Sequence, residues 1–122
     1  MTWRHQQPKL WLGFSAERQQ EFDARWPYMR DLARAGWLVF VSIGPMIEPV
    51  RLPADFLAFG DRVWVIVSGE TGRSSRYMAP DWARAVRDQC AAADVPFFFK
   101  QMTGKETIPD DLLIRQFPAH KR

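Results

Sequence analysis

The strongest apolar pattern in the chain is the run Val63-Trp64-Val65-Ile66-Val67. Five β-prone residues in succession read as a strand covered on both faces. Polarity begins where the run stops, in the glycine- and charge-rich loop Ser68-Gly69-Glu70-Thr71-Gly72-Arg73-Ser74-Ser75-Arg76. Three other apolar runs predict three more strands. Leu10-Trp11-Leu12-Gly13-Phe14 is the first, with Ser15 at its tip. Trp37-Leu38-Val39-Phe40-Val41-Ser42-Ile43 is the second, closed by Gly44-Pro45. Phe97-Phe98-Phe99 is the last, running out in Lys100-Gln101.

Between the strands the apolar period becomes helical. Phe22, Trp26, Met29 and Ala33 follow four-three-four spacing, one face of a helix over residues 17–35. Pro27 predicts a kink, or a restart with Pro27 at the first helical position. Gly36 suits the C-cap. A second helix opens at Pro80-Asp81 and aligns Trp82, Ala85, Val86, Gln89, Cys90 and Ala93 on one side. Asp94-Val95-Pro96 ends it. The connection 46–62 carries Pro49 and Pro53, predicts a short helix over 54–58, and turns at Gly60-Asp61. One helical turn is expected within 108–113. Residues 1–9 read as a polar lead-in and 119–122 as a frayed end.

Strand-helix alternation predicts an α/β fold: a four-stranded, mainly parallel sheet of βα repeats with right-handed crossovers. A sequential strand order puts every crossover on one face and leaves the other bare. Parallel sheets rarely tolerate that. The expected architecture is therefore a partial, half TIM-like barrel within a single domain over 1–122. Either the C-terminal segment 103–122 packs on or extends from the sheet, or another chain covers it. A protein partner or a homo-oligomer, most simply a homodimer, is the expected answer.

Composition narrows this picture. The 122 residues make one domain and fall short of the roughly 250 that a complete barrel takes. With 47% apolar and 14% aromatic residues the chain is a folded protein. Its net charge of +3 permits nucleic-acid or anion binding without arguing for it, because Lys and Arg are scattered. Cys90 is the single cysteine, which excludes an internal disulfide or a cysteine-held cluster within one chain. His5 and His120 match no metal-ligand spacing. No apolar run approaches a membrane span and no signal peptide is evident, so a cytoplasmic protein without membrane contact is expected.

Four strand tips should converge on one edge and supply Ser15, Ser42, Ser68, Glu70, Lys100 and Gln101 as candidate ligand contacts. Glu70 and Lys100 are the charged pair among them. They read as an acid/base pair, a clamp on a zwitterionic ligand, or a structural ion pair closing the edge. The serines lack a partnered His and suit capping and hydrogen bonding better than nucleophilic attack. Gly72, Arg73, Ser74 and Arg76 are candidates for holding an anion on turned backbone amides and guanidinium groups, although the spacing and Lys of a P-loop are missing. An ordinary solvated loop fits the same residues. Cys90, on the apolar helix face, reads as a buried core thiol.

Several of these segments together resemble a known family. They are Trp11-Leu12-Gly13-Phe14-Ser15, Phe40-Val41-Ser42-Ile43-Gly44-Pro45-Met46, Trp64-Val65-Ile66-Val67-Ser68-Gly69-Glu70-Thr71-Gly72, Met78-Ala79-Pro80-Asp81-Trp82 and Pro96-Phe97-Phe98-Phe99-Lys100-Gln101. In order along most of the chain they resemble the C-terminal half of a bacteriophage and prophage family of unassigned function, itself similar to radical S-adenosylmethionine proteins. The resemblance implies a partial α/β barrel whose preceding half carries cluster-binding cysteines. It further implies that Glu70 and Lys100-Gln101 lie where the methionine and ribose groups of S-adenosylmethionine would be held. The chain departs from that pattern twice. It has no cysteine-bearing half, and Gly44 stands where the family's Ser-x-Glu-Pro places an acid.

These departures favour a non-catalytic binding module of phage or prophage origin, without a cofactor of its own. An inhibitor of a host system, such as an anti-CRISPR protein, fits that class. S-adenosylmethionine is expected only alongside a cluster-bearing partner. The alternatives are one subunit of a split radical S-adenosylmethionine enzyme and a nucleic-acid-binding fragment using Arg73, Arg76 and Lys100.

Overall fold

The computed structural model describes residues 10–118. The polar lead-in with His5 and the predicted frayed end with His120 lie outside the described residues. Elements follow the expected alternation: β1 (Trp11–Ala16), α1 (Gln19–Arg34), β2 (Leu38–Ile43), α2 (Ala54–Leu57), β3 (Val63–Ser68), α3 (Pro80–Ala92) and β4 (Phe97–Gln101). Single 3-10 turns occupy Gly60–Arg62 and Asp110–Leu112. The four strands are all parallel and lie in the order β1-β2-β3-β4. This is an α/β fold, and its open sheet fits a partial barrel.

Helix α1 begins where Glu21 reaches back to accept the Arg18 backbone N–H at 2.9 Å, satisfying one of the orphan donors of the first turn. It ends at Gly36, whose φ of 106° only glycine adopts without strain. There the Trp37 amide bonds the Leu32 carbonyl at 3.1 Å. The expected restart at Pro27 does not occur; the helix runs unbroken from Gln19 to Arg34. A proline inside a helix costs about 3 kcal/mol. Buried Phe22, Trp26 and Ala33 hold both sides of the interruption against the core, as the four-three-four spacing predicted.

Along the sheet, buried and half-covered positions alternate, with Leu38 and Val39 at the start of β2 both buried. Val39, Val41, Ile43, Val63, Val65, Val67, Phe97 and Phe99 are buried beneath the helices. Their neighbours Phe40, Trp64, Ile66 and Phe98 are only partly covered. The expectation that the Val63–Val67 run is covered on both faces is thus corrected. Its apolarity is two-sided, but the described part of the chain supplies a full cover to one side. Helix α3 differs from expectation in one residue: Ala83, not Ala85, joins Val86 and Cys90 in the core. Gln89 on that helix fastens the connection before α2, accepting the Leu52 amide at 2.7 Å and donating to the Val50 carbonyl at 3.2 Å.

The C-terminal segment extends the sheet's edge more than it covers its open face. Leu112 is buried, and Asp111 receives the Arg84 and Arg87 guanidinium groups of α3 at 2.8 and 2.7 Å. Residues 114–116 then run antiparallel along β4, with the Phe99 amide bonding Ile114 at 2.8 Å and the Gln116 amide bonding Phe97 at 3.0 Å. This closes one sheet edge. From there Phe117 turns onto a corner of the open face.

Candidate functional site

Two features meet on the open side of the sheet. One is an aromatic cluster centred on Trp64, with ring centroids 5.8 Å from Trp11, 6.3 Å from Phe40, 6.0 Å from Phe98 and 5.5 Å from Phe117. The Trp64 indole N–H donates to the Gln116 carbonyl at 3.0 Å, so the C-terminal segment is latched to the cluster. Gly13 leaves room for it: a Cβ there would overlap the Phe40 ring. A ring lying over a strand glycine restores the packing that the missing side chain gives up.

The other feature is the row of strand tips. Alternation puts Ser15, Ser42 and Ser68 on the open side, across β1, β2 and β3. Ser15 and Ser42 are register partners. The Arg25 guanidinium reaches the Ser15 carbonyl at 2.6 Å and the Ser15 hydroxyl at 3.4 Å. Lys100 stands exposed at a bulge in β4, where Gln101 instead pairs with Ser68. Gln101 binds inward, its Nε2 donating to the Gly69 carbonyl at 3.2 Å. Gly44 packs tightly on this row, because a Cβ at 44 would collide with the Ser68 hydroxyl.

Glu70 is not paired with Lys100. Its carboxylate takes Arg76 instead, accepting the backbone amide at 2.9 Å, Nε at 2.8 Å and Nη2 at 3.0 Å. The Arg76 side chain, followed by its backbone amide, holds the Glu70 carboxyl down at about 2. So firmly ionised a group is no general acid near neutral pH, and among the described residues no ion pair involves Lys100. The loop is also closed from below. Thr103 donates its hydroxyl to the Arg76 carbonyl at 2.8 Å, and the Gly104 amide bonds the Glu70 carbonyl at 2.8 Å.

The anion-binding reading of the loop changes accordingly. Arg76 is neutralised by Glu70, with Glu17 a further 3.9 Å contact. Ser75 rather than Ser74 bonds within the loop, donating to the Gly72 carbonyl at 2.7 Å. Gly72 takes φ 111° to make the turn. Arg73 and Ser74 are exposed, and among the described residues no carboxylate pairs with Arg73. Of the four residues, Gly72 and Arg76 are thus bonded within the loop and its flank, while Arg73 and Ser74 face solvent.

The chain's residues do not fit an iron–sulfur cluster, which is held by thiolates. Cys90 lies buried in α3 among core residues, and burial pushes its thiol up to about 12. Among the described residues no group of three His, Cys, Asp or Glu could hold a metal ion, and no helix is long and apolar enough to cross a membrane. An open groove of about 480 Å³ lies at the opposite, amino end of the strands, beside Asp61, Asp94, Gln116 and Phe117.

Several of these contacts escaped sequence reasoning. Arg84 and Arg87 stand three residues apart on α3, but nothing local pointed to Asp111 as their shared partner. Arg25 at Ser15 and Arg115 over Phe98 depend on chain crossings that no motif records.

The fold and its open edge define an α/β module: a four-stranded parallel sheet with helices on one side and a partly covered aromatic face on the other. The chain belongs to the family described as "Protein of unknown function (DUF5131)", matched over residues 1–114. No curated protein and no solved structure matches it.

Proposed function

We propose that the chain is a non-catalytic interaction module of phage or prophage origin, working in the cytoplasm, that holds a protein partner on its open sheet face. The observation that carries this reading is the cluster of Trp11, Phe40, Trp64, Phe98 and Phe117 on that face, with Phe117 67% exposed. Large aromatic groups in partial contact with water favour an interface that removes the rest. The strand-tip chemistry supports the same reading, because Glu70 is engaged by Arg76. An inhibitor of a host defence system is one such module.

Affinity capture from host cells with the tagged chain tests it, comparing wild type with a Phe98→Ala/Phe117→Ala variant shown by circular dichroism to be folded. A discrete protein retained by wild type and by Arg73→Ala, and lost from the aromatic variant, is the expected result. Equal retention by all three overturns the reading, as does S-adenosylmethionine cleavage by the chain alone after anaerobic reconstitution with iron and sulfide.

A second reading draws on the row Ser15, Ser42 and Ser68, which shares the open side at the carboxyl ends of the strands. In a split radical S-adenosylmethionine enzyme, a cysteine-bearing chain completing the barrel would face that row. Purification of a stable complex with such a chain, carrying a cluster spectrum, would decide for it.

A further inference from the structure

The open face is uneven in charge as well as apolar. Its strand positions are Trp11, Gly13 and Ser15, then Phe40 and Ser42, then Trp64, Ile66 and Ser68, then Phe98 and, past the bulge at Lys100, Gln101 opposite Ser68, with no carboxylate among them. Three cations border it. Arg115 lies 5.2 Å from the centre of the Phe98 ring and donates to the Lys100 carbonyl at 3.0 Å. Lys100 is exposed beside it. Arg25 stands at Ser15 on the far strand. Elsewhere on the surface several arginines meet carboxylates, Arg30 with Asp55, Arg76 with Glu70, and Arg84 and Arg87 with Asp111, while others such as Arg73 stand alone among the described residues. At the open face the cations bond to neutral carbonyls or to none, so among the described residues no carboxylate neutralises them.

We infer that the partner seated on this face is a protein segment bringing carboxylates alongside apolar side chains, and that a second copy of this chain does not fill it. The inference rests on the reading of the chain as an interaction module and specifies the partner. A second copy would bring another face without carboxylates, so Arg25, Lys100 and Arg115 would be desolvated against an apolar surface or against one another. An acidic segment gives each of them a counter-charge while its apolar side chains cover the rings.

The rings argue for protein over single-stranded nucleic acid. Base stacking needs an open ring plane. Trp64 is instead enclosed by four rings, at interplanar angles of 61°, 63°, 86° and 41°. Its N–H is already spent on Gln116. Edge-to-face packing of this kind leaves a relief of ring edges and clefts, which side chains fill and stacked bases do not.

The test uses the full chain and Trp fluorescence, with three probes of equal length: a peptide alternating Leu and Glu, its twin alternating Leu and Lys, and an oligothymidylate. The expected result is saturable binding of the Leu/Glu peptide, about tenfold or more tighter than either other probe at low salt, each factor of ten being 1.4 kcal/mol. Lys100→Gln/Arg115→Gln should reduce that preference to about threefold or less, since each exposed pair contributes modestly. Sedimentation should show a monomer. Tighter binding of the basic peptide or the oligothymidylate, no binding of the Leu/Glu peptide, or a dimer abolished by Phe98→Ala/Phe117→Ala would each overturn the inference. Failure of the broader reading is distinguishable. If the Phe98→Ala/Phe117→Ala variant still captures the cellular partner, the face is not the interface. If capture is lost in that variant and unaffected by Lys100→Gln/Arg115→Gln, only the charge assignment falls.

Discussion

Gly69→Ala probes the joint between the strand tips and the segment beneath them. Gly69 follows β3 directly, and its amide bonds the Gln101 carbonyl at 2.8 Å. A Cβ there would overlap the Thr103 amide nitrogen and stand 2.7 Å from the Met102 carbonyl carbon and 2.9 Å from the Thr103 Cα. All three obstacles are backbone, so no rotamer change relieves them. The 102–104 segment must retreat by about 1 Å to restore ordinary contact distances. Retreat stretches the Gly69–Gln101 bond and the Gly104–Glu70 bond, each contributing about 1 kcal/mol. Together with overpacking, which costs about 1–3 kcal/mol, the expected destabilisation is about 2–4 kcal/mol. Urea unfolding followed by circular dichroism measures it, and thermal unfolding should show a fall in melting temperature of about 4 °C for each kcal/mol. Gly72→Ala is the reference. Its Cβ would meet nothing within 4 Å, and only its φ of 111° opposes the change, at about 1–3 kcal/mol. A Gly69→Ala midpoint no lower than that of Gly72→Ala would refute the argument from close backbone approach.

Further outcomes follow from single contacts. Glu70 holds its proton less tightly folded than unfolded, so its stabilising contribution is complete above the ordinary value of 4.5 and is lost as pH falls toward about 2. Carboxyl titration by NMR should find the Glu70 midpoint near 2 in wild type and clearly higher, yet still below the ordinary 4.5, in Arg76→Ala, which removes the guanidinium but keeps the backbone amide bond. Asp55, Glu21 and Asp111 are likewise depressed by their arginine partners, so stability should decline steadily on acidification below the carboxylate range. Cys90, pushed up to about 12 by burial, should resist Ellman's reagent at pH 8 and react fully once guanidinium unfolds the chain. Gly44→Ala should destabilise modestly, because the Ser68 hydroxyl must turn away from the new Cβ, and Ser68→Ala in the same chain, which removes that hydroxyl, should recover most of the loss. Additive effects in that double-mutant cycle would show that the two residues do not meet.

Much of the scaffold was readable in the residues. Four apolar runs, two helical stripes and their glycine and proline boundaries indicated every strand and both long helices, because each of those signals is local. At Pro27 the sequence left a kink and a restart open, and the restart does not occur: whether a helix runs through a proline depends on tertiary burial of Phe22, Trp26 and Ala33, which lie on both sides of it. The serine row on the strand tips was also readable, since parity along a strand decides which face a residue takes. The partner of Glu70 was not. Lys100 and Arg76 are both cations near a predicted edge, and the path of the loop, not its composition, brings Arg76 within 2.8 Å.

By itself, the sequence determined the alternation of strands and helices, the parallel sheet, the buried thiol and the want of a cover for one apolar face. Periodicity and burial are properties of short stretches, and they carry that much. Only the tertiary structure decided how the remaining surface is used. It drew residues 114–116 along β4, turned Phe117 onto Trp64, joined Glu70 to Arg76, and gave Arg25, Lys100 and Arg115 no carboxylate partner among the described residues. Those outcomes depend on which distant groups arrive within a few ångströms of one another, and on the cost of leaving charge unpaired when they do.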